Sequence, residues 1–257
     1  MFGLSHKRRQ QLLAQPWPDQ WHEFVRRNIP YAALLSPEEH RKLEGLVQVF
    51  LARKRFEGCG GLTITDEIRV TIAAQACLLE LHRDGSCYPG LHTILVYPHA
   101  YVASGKFPQP DGTIVEGAQP RLGESWSKGS IVLSWDDVLR GASDIHDGNN
   151  VVLHEFAHQL DAESGSVNGA PPLPQRSMYV AWARVLGQAY AHLTEEVNRH
   201  HRTLLGDYAA TNPAEFFAVA TENFFERPVE LRGRNRDLYE QLKLFYGQDP
   251  AERVRHA

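Results

Sequence analysis

Cysteine is scarce in this 257-residue chain: only Cys59, Cys77 and Cys87 occur, an odd number with no CxxC pair. Neither a disulfide framework nor a thiolate metal site is supported, and such thiols read as buried or idle. No apolar run reaches about 18 residues, the length at which a membrane-spanning helix becomes legible. The opening stretch "MFGLSHKRRQQLLAQPWPDQW" is basic but lacks an apolar segment followed by a small-residue cleavage site, so a cytoplasmic protein is expected. An excess of basic charge is absent too. The formal net charge is −4, and Lys and Arg are dispersed among acids instead of forming a stripe, which argues against nucleic acid as a direct ligand. Internal repeats, coiled-coil heptads and low-complexity tracts are also missing.

What is present is an ordinary globular composition, 42% hydrophobic, with enough chain for one sizeable core. We expect a single domain over 1–257, with 1–20 and 248–257 as candidate mobile tails. "LSPEEHRKLEGLVQVFLARKRFEG" predicts an amphipathic helix: Ser36 is placed to cap it, Pro37 to open it, and Leu43, Leu46, Val47 and Phe50 to form its apolar face. A β-branched stretch at Leu62–Ile64 precedes a helix from about Asp66, while "HTILVYP" and "SIVLSW" read as strands. Between them "PDGT" reads as a turn that joins a hairpin. A long helical pattern spans Ser177–Leu205, and another helix follows Asn212 and Pro213 and stops at Pro228. Helices and strands are mixed, giving α+β. The Gly- and Pro-rich stretch Ser104–Gly123 and the two termini are candidate covers over a site.

The stretch "VVLHEFAHQLD" (Val151–Asp161) carries the chemistry. Residues four apart lie one above the other on a helix, so His154 and His158 project from one side with Glu155 beside them. This HExxH spacing suits zinc, which takes neutral imidazole nitrogens, and leaves Glu155 as general base toward an attacking water. The apolar setting strengthens the reading, because unpartnered His and Glu there would be costly. A catalytic zinc takes a third protein ligand. The long motif with a histidine at +10 is excluded, since Ser164 stands there. Asp161, one turn beyond His158, is a candidate ligand or a support for a histidine. Glu215 and Glu222 in "NPAEFFAVATENFF" are the alternatives, two carboxylates on nearly one face among phenylalanines.

Taken together, "LHEFAHQLD" and "YAATNPAEFFAVATENFF" resemble the Mlc titration factor A family of bacterial zinc peptidases and, more distantly, the catalytic domain of the anthrax lethal factor. The similarity extends over "PEEHRKLEGLVQVFLARKRFEGCGGLTITDEIRVTIAAQACLLEL" and "WDDVLRGASDIHDGNNVVLHEFAHQLD". The resemblance implies a gluzincin-type zinc metallopeptidase fold, mainly helical with a small mixed sheet. It makes His154, His158 and Glu215 the ligands of one Zn2+ per chain, Glu155 the base, and Tyr208 the donor to an oxyanion. It further implies aminopeptidase action on peptides and binding to the glucose repressor Mlc or an equivalent. The competing expectation is a non-catalytic interaction protein that sequesters a repressor around a structural zinc. Gluzincins often carry an acid four residues after the glutamate ligand, where this chain has Val219, which leaves Asp161 or Glu222 to support a histidine. "SIVLSW" is the candidate strand to hold an extended substrate by strand addition.

Overall fold

The structure is a computed structural model that describes residues 6–83, 87–108, 114–121, 123–126 and 129–256. Two helices, α1 (His6–Leu13) and α2 (Asp19–Asn28), and a short 3-10 turn at Pro30–Leu34 lead into α3 (Pro37–Arg53). The Ser36 side chain accepts from the Glu39 N–H and Glu39 returns a bond to the Ser36 N–H, so the start of α3 is the capping box that "SPEE" predicts. Its buried face includes Leu43, Leu46, Val47 and Phe50.

The quoted helical stretch is cut short, however. Residues Arg55–Gly58 form strand β1, which pairs in parallel with β2 (Thr93–Tyr97), and α4 (Asp66–Leu79) crosses between them. Thr65 caps α4 by accepting from the Ile68 N–H, whereas Leu62–Ile64 lies in no strand. The helix-to-strand change is a tertiary effect: Lys54 Nζ donates to the carbonyls of Tyr88 and Leu91, at 2.5 and 2.7 Å, and so pins the exit of α3 beside β2.

After β2, strands β3 (Tyr101–Pro108) and β4 (Ile114–Arg121) pair antiparallel, as a hairpin should. The connecting "PDGT" lies outside the described residues. Strands β5 (Gly123–Trp126) and β6 (Ser130–Ser134) complete a four-stranded sheet of order β1-β2-β6-β5, in which only β5 is antiparallel to its neighbour. Thus β6, the strand of "SIVLSW", is internal, with both edges already hydrogen-bonded. The expectation that it holds a substrate backbone is corrected: β1 and β5 are the terminal strands.

The remaining elements are α5 (Trp135–Ser143), α6 (Val151–Ala162), α7 (Met178–Asn198), a 3-10 turn at Tyr208–Ala210, α8 (Pro213–Glu226), α9 (Pro228–Arg234), α10 (Arg236–Tyr246) and α11 (Pro250–His256). Helix α7 ends seven residues before Leu205, and the chain after it turns through His200 and Gly206, both at positive φ. The fold is α+β and mainly helical with a small mixed sheet. Helix α6 packs against α4, α8 and β5, and α8 is buried over most of its length. Around α8 the Phe224 ring lies with its centroid 5.1 Å from that of Tyr239 and 5.6 Å from that of Tyr246, and Phe217, Phe245 and Trp182 extend the cluster. The two elements that carry the chemistry therefore sit on a rigid core. Cys77 and Cys87 are buried and Cys59 partly so, with no disulfide among the described residues.

Candidate metal centre

Two capped helix starts set the geometry. Asn150 Oδ1 accepts from the N–H groups of Val152 and Leu153 and opens α6; Asn212 Oδ1 accepts from those of Ala214 and Glu215 and opens α8, with Pro213 at its first position. One turn into α6 stands His154, and Glu215 lies in the first turn of α8. Packing of α6 on α8 brings them together.

His154 Nε2 lies 3.0 Å from Glu215 Oε2, His158 Nε2 lies 3.3 Å from the same oxygen, and the two Nε2 atoms are 3.2 Å apart. Ligands held tetrahedrally at roughly 2.0–2.1 Å from zinc are separated by about 3.3 Å. The three atoms therefore have the spacing of one face of a zinc tetrahedron. Among the described residues this is the group of His, Cys, Asp and Glu side chains able to hold a metal ion.

Electrostatics agree. Glu222 Oε1 accepts from His154 Nδ1 at 2.7 Å, so the Nε2 lone pair of neutral His154 faces the Glu215 carboxylate. Such an arrangement requires a cation between them or a proton on the ring. Burial pushes the His154 imidazolium down, yet the hydrogen bonds to Glu215 and Glu222 outweigh it and push the ring up to about 10. Burial likewise opposes ionisation of Glu215, but hydrogen bonds from His154 and His158 hold its carboxyl well below the usual range. Both shifts describe a site that favours positive charge at its centre. His158 Nδ1 is buried without a hydrogen-bond partner among the described residues.

Glu222 is thus the support for His154, seven residues after Glu215 where the acid at +4 is missing. Asp161, the other candidate, does not reach the site. Its carboxylate accepts from the Gly169 and Ala170 N–H groups, at 2.6 and 2.9 Å, and fastens the loop after α6. Its short side chain is engaged by these backbone donors, and it is not one of the three residues of the cluster.

Glu155 is 5% exposed and lines, with His154, a cleft of about 810 Å³ whose walls include Asp147, Gly148, Leu204, Leu205 and Arg227. Tyr208, 59% exposed, lies across that cleft, its ring centroid 6.0 Å from that of His154. Burial of the phenol, then the charge and hydrogen bond of Glu215, raise its pKa, so the hydroxyl keeps a proton to donate. All five expected site residues are therefore together. Sequence reasoning missed Asn150 and Glu226, which sit behind Glu222; the signals were an Asn directly before the helix and a second Glu one turn after Glu222.

The chain is similar over most of its length to known proteins. An uncharacterized protein of Synechocystis sp. is 41% identical over 245 residues, covering 95% of this chain and 89% of that protein. Mlc titration factor A of Yersinia pestis and of Yersinia pseudotuberculosis is 34% identical over 239 residues, covering 92% of this chain and 87% of theirs. Since the family model described as glucose-regulated metallo-peptidase M90 matches residues 4–247, the motif, the ligand triangle and the relatives meet in one conclusion: the chain belongs to that metallopeptidase family.

Proposed function

We propose that the protein is a zinc-dependent aminopeptidase of this metallopeptidase family, with His154, His158 and Glu215 as zinc ligands, Glu155 as general base and Tyr208 as oxyanion donor. The observation that carries the reading is the triangle of three ligand atoms, with Glu155 next to it on the wall of the cleft. Zinc held there by His154, His158 and Glu215 would supply Lewis acidity for the scissile carbonyl and would bring the pKa of the attacking water down to about 7. Glu155 takes the proton of the attacking water and delivers it to the leaving amine. Tyr208 donates to the oxygen that becomes negative, a contribution of about 3 kcal/mol by comparison with a single oxyanion-hole donor. Strand β5, terminal in the sheet and packed against α6, is the candidate edge for an extended substrate backbone. No described helix is long and apolar enough to cross a membrane, which is compatible with a cytoplasmic site of action.

A second role is supported by the names of the Yersinia relatives, which refer to titration of Mlc. Binding of that repressor, or of an equivalent one, belongs to the proposal, and a non-catalytic sequestering protein is the alternative. Zinc per chain, measured after purification without added metal, and release of a chromophore from aminoacyl anilides decide between them, with Glu155→Gln alongside. About one zinc per chain and chelator-sensitive hydrolysis, lost in the variant while zinc is retained, support the peptidase. Zinc without hydrolysis in either protein favours sequestration.

A further inference from the structure

The hydrogen bonds behind His154 do not end at Glu222. Glu222 Oε2 accepts from the backbone N–H of Asn150 at 2.6 Å. Asn150 Oδ1 caps α6, and its Nδ2 reaches the Gly141 carbonyl at 3.2 Å and Glu226 Oε1 at 3.1 Å. Glu226 is 3% exposed and stands one turn after Glu222 on α8, and its Oε2 has no hydrogen-bond partner among the described residues. A carboxyl buried in this way is costly, and a leucine would fill the same volume, so its chemistry calls for an explanation.

We propose that Glu226 is a positioning residue for the metal centre, acting through Asn150 on Glu222 and through Glu222 on His154. The inference rests on the ligand triangle being a metal centre. His154 presents Nε2 to the metal only while Glu222 Oε1 accepts from Nδ1, and Glu222 holds that rotamer because Asn150 N–H anchors Oε2. Asn150 is in turn clamped at both ends of its amide, the oxygen by the α6 cap and the nitrogen by Gly141 and Glu226. Without Glu226, the nitrogen keeps a single acceptor on a different element, and the anchor of Glu222 loosens.

Protonation follows from the surroundings. Glu222 and Asp147 set negative charge toward Glu226, against donors no stronger than the Asn150 amide and the Asn149 N–H, and the Tyr31 hydroxyl is neutral. Burial pushes the Glu226 carboxyl up to about 9, so at neutral pH it is an uncharged acceptor. Glutamine reproduces that shape and charge, whereas methionine fills the space and removes the acceptor.

The test measures zinc dissociation constants by chelator competition, and kcat/KM on an aminoacyl anilide, for the full chain and for Glu226→Met, Glu226→Gln, Asn150→Ser and the Asn150→Ser/Glu226→Met pair. Glu226→Met is expected to weaken zinc about tenfold or more, the size of effect typical of residues behind metal ligands. Glu226→Gln is expected to restore binding to within about twofold, and the pair should be no worse than the more damaging single change, since both act through one contact. Zinc binding unchanged in Glu226→Met, a loss in Glu226→Gln as large as in Glu226→Met, or additive losses in the pair would each overturn the proposal while leaving the metal centre intact. A wild-type chain that binds no zinc would overturn both.

Discussion

At the scale of single residues, the site separates roles that the sequence lets overlap. Glu222 supports His154, and replacing it with Ala should weaken zinc about 10- to 100-fold with the fold retained, as read by chelator competition and circular dichroism. Asp161 has a different duty. Asp161→Ala strips a carboxylate from two backbone donors, Gly169 and Ala170, so it should cost roughly 2–3 kcal/mol in denaturant unfolding while zinc affinity stays near wild type. A loss of zinc affinity as large as that of Glu222→Ala would show that Asp161 serves the metal after all. Tyr208→Phe should lower kcat about 100-fold with little change in KM or melting temperature, because the ring is mostly exposed and the proposed role uses only its hydroxyl.

At the scale of elements, the metal centre depends on the way the loop after α6 meets the start of α8. Gly169 has φ +78°, and a Cβ on it would sit 2.5 Å from the carbonyl oxygen of Pro213, two residues before Glu215. Trp182 Nε1 and Asp161 hold the same glycine by its carbonyl and its N–H. Gly169→Ala should therefore destabilise by more than about 1 kcal/mol and displace the first turn of α8, with zinc affinity falling in parallel. Titration of the variant with zinc, followed by thermal unfolding, reads both effects; unchanged affinity would mean that α8 is held without the loop.

At the scale of the whole molecule, the C-terminal part of the chain closes onto its first large helix. Arg253 on α11 pairs with Glu39 on α3 and reaches the Tyr31 hydroxyl, while Gln248 donates to the Leu78 carbonyl at the end of α4. Burial disfavours the Glu39 carboxylate, but the Ser36 N–H, Arg253 and His82 outweigh that and lower its pKa to about 2. An unfolded glutamate titrates near 4.3, so this pairing contributes its full stability above about pH 5 and loses it as pH falls toward 2. Glu39→Gln should be less stable than wild type by roughly 2 kcal/mol at pH 7, and the gap should close between pH 5 and 2 in acid unfolding curves. Zinc bound at the proposed centre would act globally as well. At about 100 times its dissociation constant it should add about 2.7 kcal/mol by mass action, a rise of some 5–10 °C in Tm that chelation reverses.

Much of this molecule is local and was therefore legible without its fold. The caps at Ser36 and Asn212, the strands of "TILVY" and "SIVLS", and the shared face of His154 and His158 follow from spacing, branching and side-chain chemistry within a few residues. The resemblance to a peptidase family pointed to Glu215. Tertiary structure alone decided the rest. Which glutamate meets which atom of His154 depends on partners 61 and 68 positions away, and Asn150 finds Glu226 across 76. Residues 55–58 became a strand because β2 stood beside them, and β6 became internal because β5 folded back on it. Each of these outcomes turns on the packing of elements distant in sequence, where a carboxylate or a backbone donor is satisfied by whichever partner the core brings within about 3 Å, and no local spacing encodes that choice.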